Sequence, residues 1–158
     1  LTRRYPVDFA TYLPMSWKEV HHHHDTMQEM KACFTKTLRN QIVGMLTVNA
    51  AKIQQYPNAE TILWTYLKNY TDKGFDFNAI QTRKAQVFSK FHTVADSINF
   101  TYHQGGKSMQ YNLTFYLAQN DNAWFYVEMF GLAKSQNFEA WAINRRAIQL
   151  LIENFKTI

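Results

Sequence analysis

The chain is poor in cysteine, proline, glycine and acid, and each shortage removes a class of protein. Its one cysteine, Cys33, cannot form an intramolecular disulfide, which excludes the small cross-linked secreted scaffolds. No run of about 18 apolar residues exists, so no transmembrane helix is expected. Prolines stand only at positions 6, 14 and 57, leaving the last hundred residues without a fixed breaker. The five glycines make no phosphate-cradling pattern: Gly105-Gly106 before Lys107-Ser108 lacks the leading glycine and spacing of a P-loop and reads as a turn. Acids number 12 and are scattered without a carboxylate pair, so hydrolytic chemistry has no sequence support.

What is present is a foldable composition. The 158 residues are 46% hydrophobic and 16% aromatic, enough for one domain with its own core. The chain opens on Leu1 with no signal-peptide pattern. Lysine and arginine reach 17, giving a net charge of +5 that favours anionic partners. Twelve Asn and eleven Gln outnumber the acids almost two to one. Such a surface changes charge little as pH falls, which suits a particle exposed to acid; drift in base composition explains it as well.

The pattern of apolar residues predicts a mainly α protein. Residues 1–15, with two prolines and Arg3-Arg4, read as an extended N-terminal arm, and residues 16–158 as one helical domain. Ser16 opens "SWKE", a capping box, and Val20, Met27, Met30, Phe34, Leu38, Ile42, Met45 and Ile53 project onto one stripe of a helical wheel. A long first helix is therefore expected over 16–56, bent or interrupted at Gly44, with a bundle over 58–158. In that bundle Asn58 caps a second helix ending near Lys73-Gly74, and a third follows from Asn78 through Ile80, Val87, Phe88, Phe91, Val94 and Ile98. Two readings compete beyond Ser97. A helix to His103 and another capped by Ser108 fit the helical bundle; alternation of Ile98, Phe100, Tyr102, then Met109, Tyr111, Leu113, Phe115 and Leu117 around Gly105-Gly106 fits a hairpin. The second reading makes the fold α+β, with an antiparallel hairpin or meander at about 98–130. Residues 137–155 predict a final amphipathic helix with Phe138, Trp141, Ile148, Leu151, Ile152 and Phe155 inward.

Candidate sites are few. His21 to His24 on a helix would point in four directions about 100° apart, so at most His21 with His24 or Asp25 could share an ion. The run reads as a solvated helix flank, with adventitious metal binding and a pH-dependent contact as alternatives. No metal site, cofactor or catalytic residue is assigned. Cys33 beside Phe34 reads as a buried inert thiol, and the N-x-T triplets at Asn69, Asn99 and Asn112 as chance in a chain rich in Asn and Thr. The chain is read as a non-enzyme.

Charge carries the functional expectation. No acid lies between Glu29 and Glu60, whereas Lys31, Lys36, Arg39 and Lys52 do, interleaved with Asn40, Gln41, Asn49, Gln54 and Gln55. Such a face neutralises phosphates and hydrogen-bonds the sugar-phosphate chain without reading sequence. Arg3 and Arg4 extend it, and further basic clusters occur at Arg83, Lys84 and Lys90 and at Arg145-Arg146; any one of them is also readable as a solvated face.

An arginine-bearing arm, a long amphipathic helix and a proline-free bundle without a catalytic constellation resemble the coat proteins of filamentous archaeal viruses. The resemblance is one of layout over most of the chain. It implies a virion protein that wraps double-stranded DNA independently of sequence and assembles helically with copies of itself or a paralogous subunit. By position, Arg3, Arg4, Lys31, Lys36 and Arg39 would face the nucleic acid, with Lys52 continuing the basic face. The competing class is an α+β protein- or ligand-binding adaptor module, a soluble or periplasmic part of a larger assembly such as a secretion or conjugation machine, with a curved sheet covered by helices.

Overall fold

A computed structural model describes residues 2–3, 9–26, 29–77, 80, 83–84 and 92–157. Strands, not helices, carry most of them. Strands β1 (Thr2–Arg3) and β2 (Phe9–Ala10) precede β3 (Lys18–Thr26), β4 (Glu29–Leu38) and β5 (Gln41–Lys52). Helix α1 (Ala59–Leu67) continues into a 3-10 turn, Lys68–Lys73, and is followed by β6 (Arg83–Lys84), β7 (His92–Gln104), β8 (Lys107–Gln119) and β9 (Ala123–Leu132). Helix α2 (Phe138–Glu153) and β10 (Lys156–Thr157) complete the described elements.

Two antiparallel meanders, β3-β4-β5 and β7-β8-β9, join through a β5–β9 ladder, giving a seven-stranded sheet in the order β3-β4-β5-β9-β8-β7-β6. The turns follow the chemistry of two-residue hairpins. Arg39 and Asn40, at φ 49° and 64°, link β4 to β5, and Gly105 and Gly106, at φ 58° and 76°, link β7 to β8. Positive φ at both central residues matches the right-handed twist of the strands they join.

Helices cover the sheet on both faces. Helix α2 lies on one, over a core that includes Leu46, Val48, Phe125, Val127, Ile148 and Leu151, each at most 2% exposed. Helix α1 lies on the other, burying Ile62, Leu63 and Leu67 against Leu113, Phe115, Leu117 and Tyr126. Each such side chain contributes about 2 kcal/mol by leaving water. Residues 9–17 are tied to the body. Phe9 is buried against Phe125 and Phe155, Trp17 joins the same core, and β2 pairs with both β1 and β10 in a small second sheet.

The helical bundle expected from the sequence is overturned, together with the long helix over 16–56. That span forms β3, β4 and β5, and Ser16 sits in a turn before β3 rather than at a helix cap. The wheel placed Ile42 and Met45 inward, yet they are 63% and 43% exposed, while Leu46 and Val48, off the stripe, are fully buried. The α+β alternative, with strands at about 98–130 only, describes the second meander and misses the first. The third helix is corrected at its end, where Val94 and Ile98 belong to β7; Asn78, Val87, Phe88, Phe91 and Lys90 lie outside the described residues. The helix expected from Ser108 is β8. Helix α1, by contrast, starts where Asn58 predicted: its Oδ1 accepts from Thr61 N at 2.9 Å. Among the described residues no helix is long and apolar enough to cross a membrane.

Candidate functional site

Helix α2 is seated by a gap in the sheet. Gly44 of β5 and Gly131 of β9 are register partners, and a Cβ on either would collide with the Asn144 side chain that drops between them. Asn144 Nδ2 donates to the Val43 carbonyl at 2.8 Å, while its buried Oδ1 has no partner among the described residues. At the start of the helix Asn137 Oδ1 accepts from Ala140 N at 3.1 Å. The helix is thereby held over β5 and β9. On that face Ser97 and Asn99 of β7 are exposed and Asn112 and Thr114 of β8 half-buried, whereas Ala95 and Ala118 are buried.

Beside α2 these two strands carry a neutral polar floor. Register pairs Ser97 with Thr114 and Asn99 with Asn112, and strand alternation keeps all four on one face. Asn112 Nδ2 donates to Ser97 Oγ at 3.0 Å and to Asn99 Oδ1 at 2.8 Å, and Thr114 Oγ1 donates to Asn112 Oδ1 at 2.7 Å. The Thr114 proton being committed, the 2.9 Å contact between Ser97 Oγ and Thr114 Oγ1 is donated by Ser97. Ser97, Thr114 and Asn112 therefore close a ring in which each bond polarises the next. Gln110 Nε2 extends the floor by donating to Thr101 Oγ1 at 2.6 Å.

The wall is α2. Trp141, Arg145, Ile148 and Gln149 face Asn112, Thr114 and Tyr116 across a shallow cleft whose cavity volume, about 20 Å3, has room for about one water. The Arg145 guanidinium lies 5.3 Å from the Trp141 ring centre, and Lys134 Nζ lies 5.1 Å from the same ring. Burial raises the Tyr116 hydroxyl pKa, and Arg145 opposes that shift. Among the described residues Arg145 is the one cation in the lining, which contains no carboxylate.

The opposite face holds ionisable groups of another kind. Glu29 Oε1 accepts from Tyr56 at 2.7 Å and from Tyr66 at 2.6 Å, and Glu128 Oε2 accepts from Tyr70. The Tyr126 hydroxyl lies beside Glu128 without closing a bond of good geometry. Burial pushes the Glu128 carboxyl up to about 7, with Tyr70, Tyr126 and Lys31 pulling the other way. The Tyr56 hydroxyl is pushed up to about 12 by burial and by Glu29, those of Tyr66 and Tyr70 higher still, and that of Tyr126 well above its ordinary value, burial being the largest cause in each. Glu128 is 5% exposed, so these bonds fasten α1 and its following turn to the sheet rather than present a carboxylate to solvent.

The cations assigned to nucleic acid are dispersed. Lys31, opposite Asn49, belongs to the α1 face; Lys36, opposite Gly44, and Lys52, opposite Ala123, belong to the α2 face. Gly44 and Lys52 are eight residues apart on β5, about 26 Å at the usual rise. Arg39 sits in the β4–β5 turn and pairs with Glu139 at 3.3 Å. Arg3 belongs to β1; Arg4 and the side chains of Arg83 and Lys84 lie outside the described residues. The backbone of His21 to His24 is strand, so the helical spacing argued for that run does not apply, and its side chains also lie outside the described residues. Among the described residues no three His, Cys, Asp or Glu side chains group as metal ligands.

Sequence reasoning met Asn99 and Asn112 only as N-x-T triplets. The signal that would have found the floor is the spacing of two in Ser97-Asn99 and Asn112-Thr114, the polar side of a hairpin. Glu128 was passed over as one scattered acid, though it is the only acid in the apolar run 123–133.

No family model and no curated protein matches the chain. Among solved structures, a protein from Bacteroides thetaiotaomicron VPI-5482 is similar at 12% identity and a TM-score of 0.51, over 95% of this chain and 45% of that one. The chain thus spans less than half of that neighbour, and the likeness is one of fold. LpqN, involved in cell envelope biogenesis of Mycobacterium tuberculosis, aligns over 95% of this chain and 83% of its own at 14% identity and a TM-score of 0.48.

Proposed function

We propose that this chain is a non-enzymatic binding module whose ligand lies on the polar part of strands β7 and β8 against helix α2. One observation carries the reading. The Ser97–Thr114–Asn112 ring is held rigid by its own bonds and stands beside an aromatic and a guanidinium wall that no described element covers. A rigid polar surface loses little freedom when a ligand settles on it, which is the condition for recognition by hydrogen bonds. The test is a mixed panel of oligosaccharides, peptides and oligonucleotides screened by amide-resolved NMR. Binders should shift Asn112, Thr114 and Trp141, and Asn112→Ala should weaken them about tenfold. Binders that map only elsewhere would sink the proposal.

The coat-subunit reading rested on cations aligned along one helix, and that support is lost now that they stand on separate strands, faces and turns. It keeps a direct test. Double-stranded DNA binding that weakens steeply with salt, and weakens further in the Lys36→Ala/Arg39→Ala double variant, would restore it; absence of binding at low salt would remove it.

A further inference from the structure

We infer that Glu128 is a proton-operated latch: with its carboxyl protonated the turn Lys68–Lys73 stays closed over the sheet, and with it ionised the turn opens far more often to admit water. What surrounds the carboxylate sets the place. Glu128 of β9 is 5% exposed, and its register partners are Thr47 of β5 and Phe115 of β8, neither of them charged. Tyr70 donates to it from the turn. Tyr126, two residues away on the same face of β9, is fully buried with its hydroxyl unpartnered among the described residues, and Tyr66 of α1 stacks on its ring at 4.8 Å. Strand β4 contributes Lys31, exposed, which favours the charged carboxylate, and Cys33, which acts on Tyr70. A buried carboxylate so placed gains from any motion that brings water to it.

The turn is the cover that can move. None of its six residues is buried, whereas α1 before it buries Ile62, Leu63 and Leu67. It ends on Gly74 at φ 94°, where a Cβ would strike the Thr101 carbonyl of β7, and such a position absorbs a change of backbone angle. Few contacts hold it shut. They are the Tyr70 hydroxyl on Glu128, the Tyr70 ring against Phe130 at 5.1 Å, and Lys73 over the Tyr102 ring at 5.2 Å. Burial holds the Glu128 carboxyl at about 7 in the closed form, against an ordinary 4.5 once water reaches it. Closure is therefore firmest below pH 4.5, loosens as pH rises, and levels off above about 7. Between pH 6 and pH 8 the opening constant should rise about tenfold.

The experiment is amide hydrogen exchange on the intact chain at pH 6 and pH 8, with the intrinsic pH dependence of exchange divided out. The amides of Lys68, Gly74 and Phe75, bonded to Trp64, Thr71 and Tyr70, report on the turn, and those of Val48 and Val127 in the central strands report on global unfolding. The turn amides should open more often than the strand amides, respond about tenfold to pH, and ignore dilute urea, as an opening that exposes little surface does. Turn amides that share the rates and urea slope of Val48 and Val127 exchange only by global unfolding and overturn the latch. A local opening that is the same at both pH values overturns it as well. Glu128→Gln should abolish the pH response of the turn, and a response that survives it removes Glu128 as the cause. Should that variant not fold, Tyr70→Phe decides: it keeps the ring and takes away a hydroxyl that favours the charged carboxylate, so the response should exceed tenfold, and an unchanged or smaller one overturns the latch.

Discussion

The two faces of the sheet hold their helices by different physics. Under α2 the fit is one of shape: two facing glycines open a gap, and one asparagine fills it. Under α1 the fit is one of chemistry, with three tyrosine hydroxyls donating to two carboxylates that the sheet half or fully buries. A joint made by shape responds to a methyl group and ignores pH. A joint made by buried carboxylates does the reverse.

The largest effect is expected where shape rules. Gly131→Ala puts a methyl group into the space of the Asn144 side chain and near the Val43 carbonyl, and should cost about 3 kcal/mol, the range of overpacked cores. Asn144→Ala removes one hydrogen bond and should cost about 1–2 kcal/mol. The double variant should be more stable than the sum of the two by about 1 kcal/mol or more, because the alanine at 144 vacates the room that the alanine at 131 needs. Urea unfolding of the four proteins measures this coupling. Strict additivity would mean that the glycines do not seat the helix.

Glu128 tests the other joint. Its folded-state carboxyl titrates at about 7 against an ordinary value of 4.5, so the folded state binds the proton more tightly than the unfolded one. Stability from this group is full below pH 4.5, declines as pH rises through that value, and levels off above about 7. The decline is on the order of 3 kcal/mol at most. Glu128→Gln keeps an acceptor for Tyr70 without the charge. It should flatten the difference in unfolding free energy between pH 5 and pH 8, and at pH 8 it should match or exceed the parent. An unchanged pH profile would remove Glu128 as its source. Gly131→Ala should leave the slope intact, which separates the two faces in one set of measurements.

The same contrast explains what was legible in the sequence. Helix α1 was readable from its Asn58 cap and α2 from its apolar stripe, local signals both, although Phe138, read as inward, is 62% exposed. The hairpin at Gly105-Gly106 was readable as one of two options from the alternation on either side. Strands β5 and β9 were not. Being central, they are buried on both faces over 46–51 and 123–129, and a two-sided strand carries no period of two to set against a helical period. Strand β4 added to the error, because Met30 and Phe34 are four apart and satisfy either period. Of the site, Arg145 was visible only as half of a basic pair, and the floor not at all. Its residues become neighbours through the β7–β8 register, and pairing across a turn is a long-range fact that composition does not contain.

The smallest effect should come from an exposed ion pair at the rim of the α2 face. Arg39 and Glu139 meet at 3.3 Å with side chains 80% and 56% exposed, so solvent and salt screen their attraction. Holding two long side chains together also costs rotamer freedom, and the net contribution of such a pair is about 0–0.5 kcal/mol. Arg39→Ala should therefore move the urea midpoint hardly at all at physiological salt, although the pair bridges the β4–β5 turn to the first turn of α2. A loss of 2 kcal/mol or more would show that charge, and not the glycine gap alone, seats the helix, and the division of the sheet into a face joined by shape and a face joined by chemistry would have to be redrawn.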